Sequence, residues 1–216
     1  IEYYRLGCRK GSDAACINLA FDYANRAERA IAMGLFRKSC DNGVLLACTN
    51  LGEMLRDGDL ASQASAAEIF RNACDKGSGN ACRSLGQMAQ GGNDAAGPKS
   101  HAIRYFNKGC DIGDTGSCFN SGLAYLVGLH THKSPKRAFA SFAKGCGLRS
   151  APSCAGASLA VLDMKKNDPG SRRDLARKWF TAAYELDPED SFVAALKEWY
   201  DQGSKTDPTA VISGKQ

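Results

Sequence analysis

The ten cysteines of this chain form five pairs, and within every pair the two thiols are eight positions apart. The pairs are Cys8 and Cys16, Cys40 and Cys48, Cys74 and Cys82, Cys110 and Cys118, and Cys146 and Cys154, with no cysteine left over. Successive leading cysteines are 32, 34, 36 and 36 residues apart. A motif recurring at that period describes an array of similar units, each too small to bury its own apolar face without its neighbours.

Eight residues would hold the two alpha-carbons about 12 Å apart as continuous helix and roughly 27 Å apart as strand. A disulfide needs them within about 7 Å. If the pairs are bridged, the chain reverses between them. Gly11, Gly43, Gly77 and Gly113 each lie three residues after a leading cysteine, where glycine can take the left-handed conformation that ends a helix. The fifth unit has Gly147 early and Pro152 late instead, which still reads as a turn. Structural zinc sites use close pairs such as Cys-x2-Cys. None occurs here, so the spacing favours disulfides and an oxidising compartment.

Apolar residues before each leading cysteine fall at helical spacing: Ala32, Met33 and Phe36, and likewise through Phe70, Phe106 and Phe142. After each second cysteine the pattern resumes, with Leu19, Leu51 and Leu85 at the third position and Ala20, Gly52, Gly86, Gly122 or Ser158 at the fourth. One helix is expected to end at the first cysteine and the next to begin at the second. The small residues are expected to let helix backbones approach closely, and the bridge to clamp the corner between them.

The array is expected to be one solenoid over residues 1–203, closed by a capping repeat at 171–203 and followed by a flexible tail at 204–216. In the cap, Ala176 and Phe180 keep the phase, but Tyr184 and Phe192 stand where cysteines would be. This aromatic pair is expected to pack in place of a bridge. At the other end Ile1 is no initiator, and Tyr4 already sits in repeat phase, so the natural N-terminus is expected to lie upstream.

A net charge of +5 is spread among alternating acids and bases. No dense basic block interleaved with aromatics is present, which argues against nucleic acid. No apolar run reaches the 18 or so residues of a membrane span.

Residues 48–58 ("CTNLGEMLRDG") and 138–146 ("AFASFAKGC") resemble the Sel-one-like repeat (SLR), a relative of the tetratricopeptide repeat. With a cysteine pair in five successive units, the chain is most similar to the Helicobacter cysteine-rich protein family of secreted SLR proteins. The resemblance implies an all-α, right-handed α/α solenoid of stacked helix hairpins, N-terminally incomplete at five to six repeats, exported to a periplasm or secreted. It also implies a concave face, lined by the helix after each second cysteine, that binds a protein or peptide. Asn50, Glu53, Gln87, Asn120 and Tyr125 are the expected contact residues, as exposed polar and aromatic side chains.

Two other functions are implied by related proteins. Some cysteine-rich SLR proteins are described as penicillin-binding or beta-lactamase-like, and this chain has Ser-x-x-Lys at Ser141 and Lys144. The accompanying Ser-Asp-Asn and Lys-Thr-Gly elements are absent, so no catalytic residue is assigned. Cysteine-paired SLR proteins also serve as respiratory-complex assembly factors in the mitochondrial intermembrane space, the alternative compartment. No cofactor is expected, and no metal either: His130 and His132 form a loop pair without an evident third ligand. The expected partner is a protein or peptide.

Overall fold

The computed structural model describes residues 1–164 and 169–203, the side chains of 169 and 170 excepted. The tail expected at 204–216 lies outside the described residues. The chain forms two compact units, residues 1–98 and 99–216. Among the described residues the regular structure is wholly helical, an all-α arrangement of helix hairpins packed in chain order.

The first unit contains α1 (Glu2–Arg9), α2 (Asp13–Asn25), α3 (Arg29–Asp41), α4 (Leu45–Arg56), α5 (Leu60–Asp75) and α6 (Gly79–Gln90), then a short 3-10 turn at Asp94–Ala96. The second contains α7 (Ala102–Ile112), α8 (Thr115–Val127), α9 (Pro135–Gly147), α10 (Ala151–Asp163), α11 (Pro169–Leu186) and α12 (Ser191–Asp201).

Disulfides join the corners α1/α2, α3/α4, α5/α6, α7/α8 and α9/α10, with alpha-carbons 4.4 to 4.7 Å apart. The cysteines lie inside the helices rather than at their ends, because the reversal takes only three residues, as at Asn42–Val44. In each corner the carbonyl of the leading cysteine accepts from the amide three residues on. The carbonyl before it accepts from the amide five residues further along. At Cys40 these are Gly43 N to Cys40 O, 2.8 Å, and Val44 N to Ser39 O, 3.1 Å. This double bond pattern satisfies carbonyls that the ending helix would otherwise orphan.

The third residue after the leading cysteine carries the positive φ the pattern requires. Gly11, Gly43, Gly77 and Gly113 have φ of 89°, 87°, 99° and 103°. In the fifth corner Arg149 holds φ 65° at the equivalent position, while Gly147 remains in α9. The residue after it then serves as N-cap of the next helix. Ser12, Ser78, Asp114 and Ser150 each accept from the amide three residues on, whereas Val44 makes no side-chain cap.

Phe36, Phe70, Phe106 and Phe142 are fully buried, as are Leu51 and Leu85. Two of the small residues after the second cysteines receive these rings rather than a neighbouring backbone: Phe70 lies on Gly52, and Phe142 lies on Gly122. In the closing hairpin the expected aromatic pair does not form. Phe192 packs edge-on against Phe119 at 5.6 Å, while Tyr184 turns to Phe180 and stays largely exposed. Val193 and Leu196 supply the burial there.

Candidate functional site

The helix following each corner presents the five residues singled out as contacts, and the structure separates them. On α4, Asn50 is half-buried and its amide donates to Leu46 O at 2.7 Å. One turn on, Glu53 pairs with Arg56 at 2.7 Å through one carboxylate oxygen and accepts from the Ser84 hydroxyl through the other. That second bond ties α4 to α6 across consecutive hairpins. Glu53 therefore holds the surface in place and leaves Arg56 with a fixed direction.

Gln87 on α6 is exposed and lines a shallow cleft of about 310 Å³ with Arg56, Gln63, Met88, Gly91 and Asn93. Asn93 Nδ2 donates to Gln63 Oε1 at 2.7 Å across this cleft. Of the expected contacts in the first unit only Gln87 lines this amide-rich cleft, with Glu53 joined to it through the Arg56 guanidinium, while Asn50 is bonded within its own helix. Amides and a guanidinium can together bind peptide carbonyls, amides and carboxylates. Arg56, Gln63 and Asn93 were missed in the sequence because they belong to three different helix ends that only the hairpin packing brings together.

In the second unit Asn120 is half-buried on α8. Tyr125 corrects the expectation of an exposed aromatic: it is 8% exposed. Its hydroxyl accepts from Asn107 Nδ2 at 3.0 Å, and Arg137 stands 5.6 Å over its ring. Asn107 also accepts from Ser121 at 2.6 Å, and Ser121 bonds Ser141 at 3.0 Å. Tyr125 is thus part of an internal polar network joining α7, α8 and α9.

That network also accounts for the Ser-x-x-Lys element. Ser141 points into it, and Lys144 Nζ is bound to Asp111 at 2.8 Å. The lysine is committed to another helix's carboxylate, so this arrangement does not set a base beside the serine hydroxyl. His130 and His132 are exposed. Groups of three or more side chains suited to a metal ion are absent among the described residues, and so is any helix long and apolar enough to cross a membrane.

No family model and no curated protein matches the chain. Solved structures do. A Sel1 repeat protein from Oxalobacter formigenes superposes with a TM-score of 0.67 at 20% identity, over 86% of this chain and 76% of that one. The c5321 protein, a protective antigen of uropathogenic Escherichia coli displaying an SLR fold, superposes with a TM-score of 0.59 at 23% identity. That match covers 95% of this chain and 43% of the antigen. At these identities the likeness establishes the fold.

Proposed function

We propose that this chain, which carries the SLR fold, is a non-enzymatic protein- or peptide-binding scaffold of the cell envelope or secreted space. The observation that carries this reading is the amide-rich cleft around Gln87, whose wall is fixed by the Glu53 bridge between consecutive hairpins. A pre-positioned row of hydrogen-bonding groups on stacked helices is the form in which repeat proteins recognise extended peptides. Five disulfides support an oxidising compartment.

The test is affinity capture from a native cell-envelope extract with oxidised protein carrying a photo-cross-linking residue at position 87. A reduced and alkylated sample serves as control. Recovery of one protein, cross-linked at position 87 and lost with Asn50→Ala plus Gln87→Ala, supports the scaffold. Capture indifferent to both the substitutions and reduction sinks this surface as the binding face.

A further inference from the structure

A second cleft of the first unit, about 520 Å³, lies among α1, α2 and α3 and shares no lining residue with the Gln87 cleft. Buried Cys8 and Leu19 form its floor, with Tyr23 and Leu35 packed against them. The other lining residues are Arg5, Arg9 and Lys38, all exposed cations.

The register of the repeat sets these cations apart. Asp111 directly follows Cys110, Lys144 lies two residues before Cys146, and the lysine Nζ meets that carboxylate at 2.8 Å. One hairpin's acid thus neutralises the next hairpin's lysine. Arg9 and Lys38 hold the same two positions relative to Cys8 and Cys40. A second cation therefore stands where the later pair has a carboxylate, and both cations line one cleft. The acids of α1, α2 and α3 do not make up the loss: Glu2, Asp13, Asp22 and Asp41 all lie outside the lining. Asp13 accepts from Asn42 at 2.9 Å, and Asp22 pairs with Arg26 at 3.2 Å. Arg5 has a neutral partner, the Tyr23 hydroxyl, which accepts from it at 3.2 Å. Among the described residues Arg9 and Lys38 form no ion pair. They sit in the last turns of α1 and α3, where the negative helix terminus makes a cation tolerable without an acid beside it.

We propose that a partner protein supplies the missing carboxylate: an acidic segment places an Asp or Glu side chain between Arg9 and Lys38 and rests a neighbouring aliphatic side chain on Leu19 and Leu35. The lysine at this register already takes a carboxylate at Lys144, which selects that anion here, and the Arg9 guanidinium suits bidentate carboxylate binding. A neutral apolar occupant would leave the two cations facing each other, and a small hydrophilic anion would leave the floor wet. The volume falls within the few hundred to about 1,000 Å³ of ordinary ligand clefts. The site does not depend on the Gln87 surface.

The experiment titrates the oxidised full chain with acetylated, amidated Asp-Asp-Leu-Asp-Asp by calorimetry. Saturable binding is expected in the micromolar range and weakens as salt rises. The neutralised Asn-Asn-Leu-Asn-Asn and the apolar-deleted Asp-Asp-Ser-Asp-Asp are each expected to bind at least about tenfold more weakly. Arg9→Asp restores the acid of the repeat and is expected to raise Kd at least about tenfold, because Lys38 then has its partner within the chain. Lys178→Asp, an equal change in net charge at an exposed position on α11 outside this cleft, is expected to leave Kd within about twofold. Thermal melts verify that both variants are folded. Slowed hydrogen exchange over residues 5–9 and 35–38 on adding the acidic probe locates the site without any substitution. The proposal is overturned by absence of saturable binding, by unchanged exchange over those residues, or by a folded Arg9→Asp variant with unchanged affinity. Equal binding of the apolar-deleted peptide would overturn it in favour of a plain anion site. An equal loss in Lys178→Asp would overturn it in favour of diffuse charge attraction. None of these outcomes depends on whether the Gln87 surface captures a partner.

Discussion

The ring of Phe142 lies so close to Gly122 that a Cβ added there would come within 2.5 Å of Cδ1. Gly156, on the next hairpin, meets the same ring at 2.4 Å by the same measure. The ring is completely buried and held from both sides, so it cannot swing away. Gly122→Ala is expected to destabilise by about 1–3 kcal/mol through overpacking. Gly34→Ala, in the middle of α3 where an added Cβ meets nothing within 4 Å, is expected to gain about 0.5–1 kcal/mol. Urea unfolding of the oxidised proteins compares the two. If both substitutions moved stability the same way, the packing account would fail.

Arg149 occupies a left-handed position that glycine fills in the other four corners. A Cβ in that conformation costs roughly 1–2 kcal/mol. Arg149→Gly is accordingly expected to raise stability by up to about 1 kcal/mol after the added flexibility of the unfolded chain is subtracted. Gly43→Ala should lower it by a similar amount. Thermal melting measures both, and a loss of stability in Arg149→Gly would show that the arginine side chain does more than turn the corner.

Four of the five bridged corners have a serine or aspartate capping the second helix, and Val44 is the exception. Val44→Ser or Val44→Asp is expected to stabilise by about 1 kcal/mol, since the backbone at Val44 already has the extended cap conformation. Chemical denaturation with an unchanged m-value is the expected signature. No gain from either residue would mean that the α4 amides already have another partner.

Burial pushes the Tyr200 hydroxyl above its ordinary pKa, against opposing contributions from its bond to Ser158 and from Arg177. The folded state therefore holds this proton more tightly than the unfolded chain. The resulting stability is complete below about pH 10 and is lost as pH climbs toward the folded-state value. Tyr200→Phe is expected to flatten the alkaline limb of the stability profile, read by thermal melts across that range. An unaltered limb would assign the alkaline loss to other groups.

Each corner bridge closes a loop of about nine residues, which loop entropy values at roughly 2.5 kcal/mol. The corner carbonyls are independently satisfied by backbone bonds. Replacing Cys40 and Cys48 together by alanine is thus expected to cost about 2–3 kcal/mol while leaving the helical circular dichroism intact at low temperature. Loss of helicity under native conditions would show that the corner cannot form without its sulfurs.

Much of this fold is legible in the cysteine and glycine spacing, because a reversal within eight residues leaves few solutions. The buried phenylalanines are equally readable, since helical phase alone sends Phe36, Phe70, Phe106 and Phe142 inward. Position relative to a corner is read well; side-chain partners across hairpins are not. Tyr125 is expected outside as a contact residue of the helix after a second cysteine, but it falls on the buried stripe of α8 with Cys118, Ser121 and Gly122, where Asn107 of the preceding helix binds its hydroxyl. Tyr184 and Phe192 were paired by register, yet Phe119 lies closer to Phe192 than the cap partner does. The serine and aspartate four residues before the second cysteines are visible signals for the caps. The apolar side chains of Phe139, Val161 and Leu175, which line one cleft of the second unit, belong to three helices and have no signature in any one stretch.

Ten thiols can be joined in on the order of a thousand ways, yet here every sulfur takes its nearest available companion along the chain. The second member of one pair precedes the first member of the next by 24, 26, 28 and 28 residues. Within these five units, each pair lies closer together than either of its members lies to any other cysteine. A loop of about nine residues closes at lower entropic cost than the longer loops of scrambled isomers, so pairing with the near neighbour is favoured at each step.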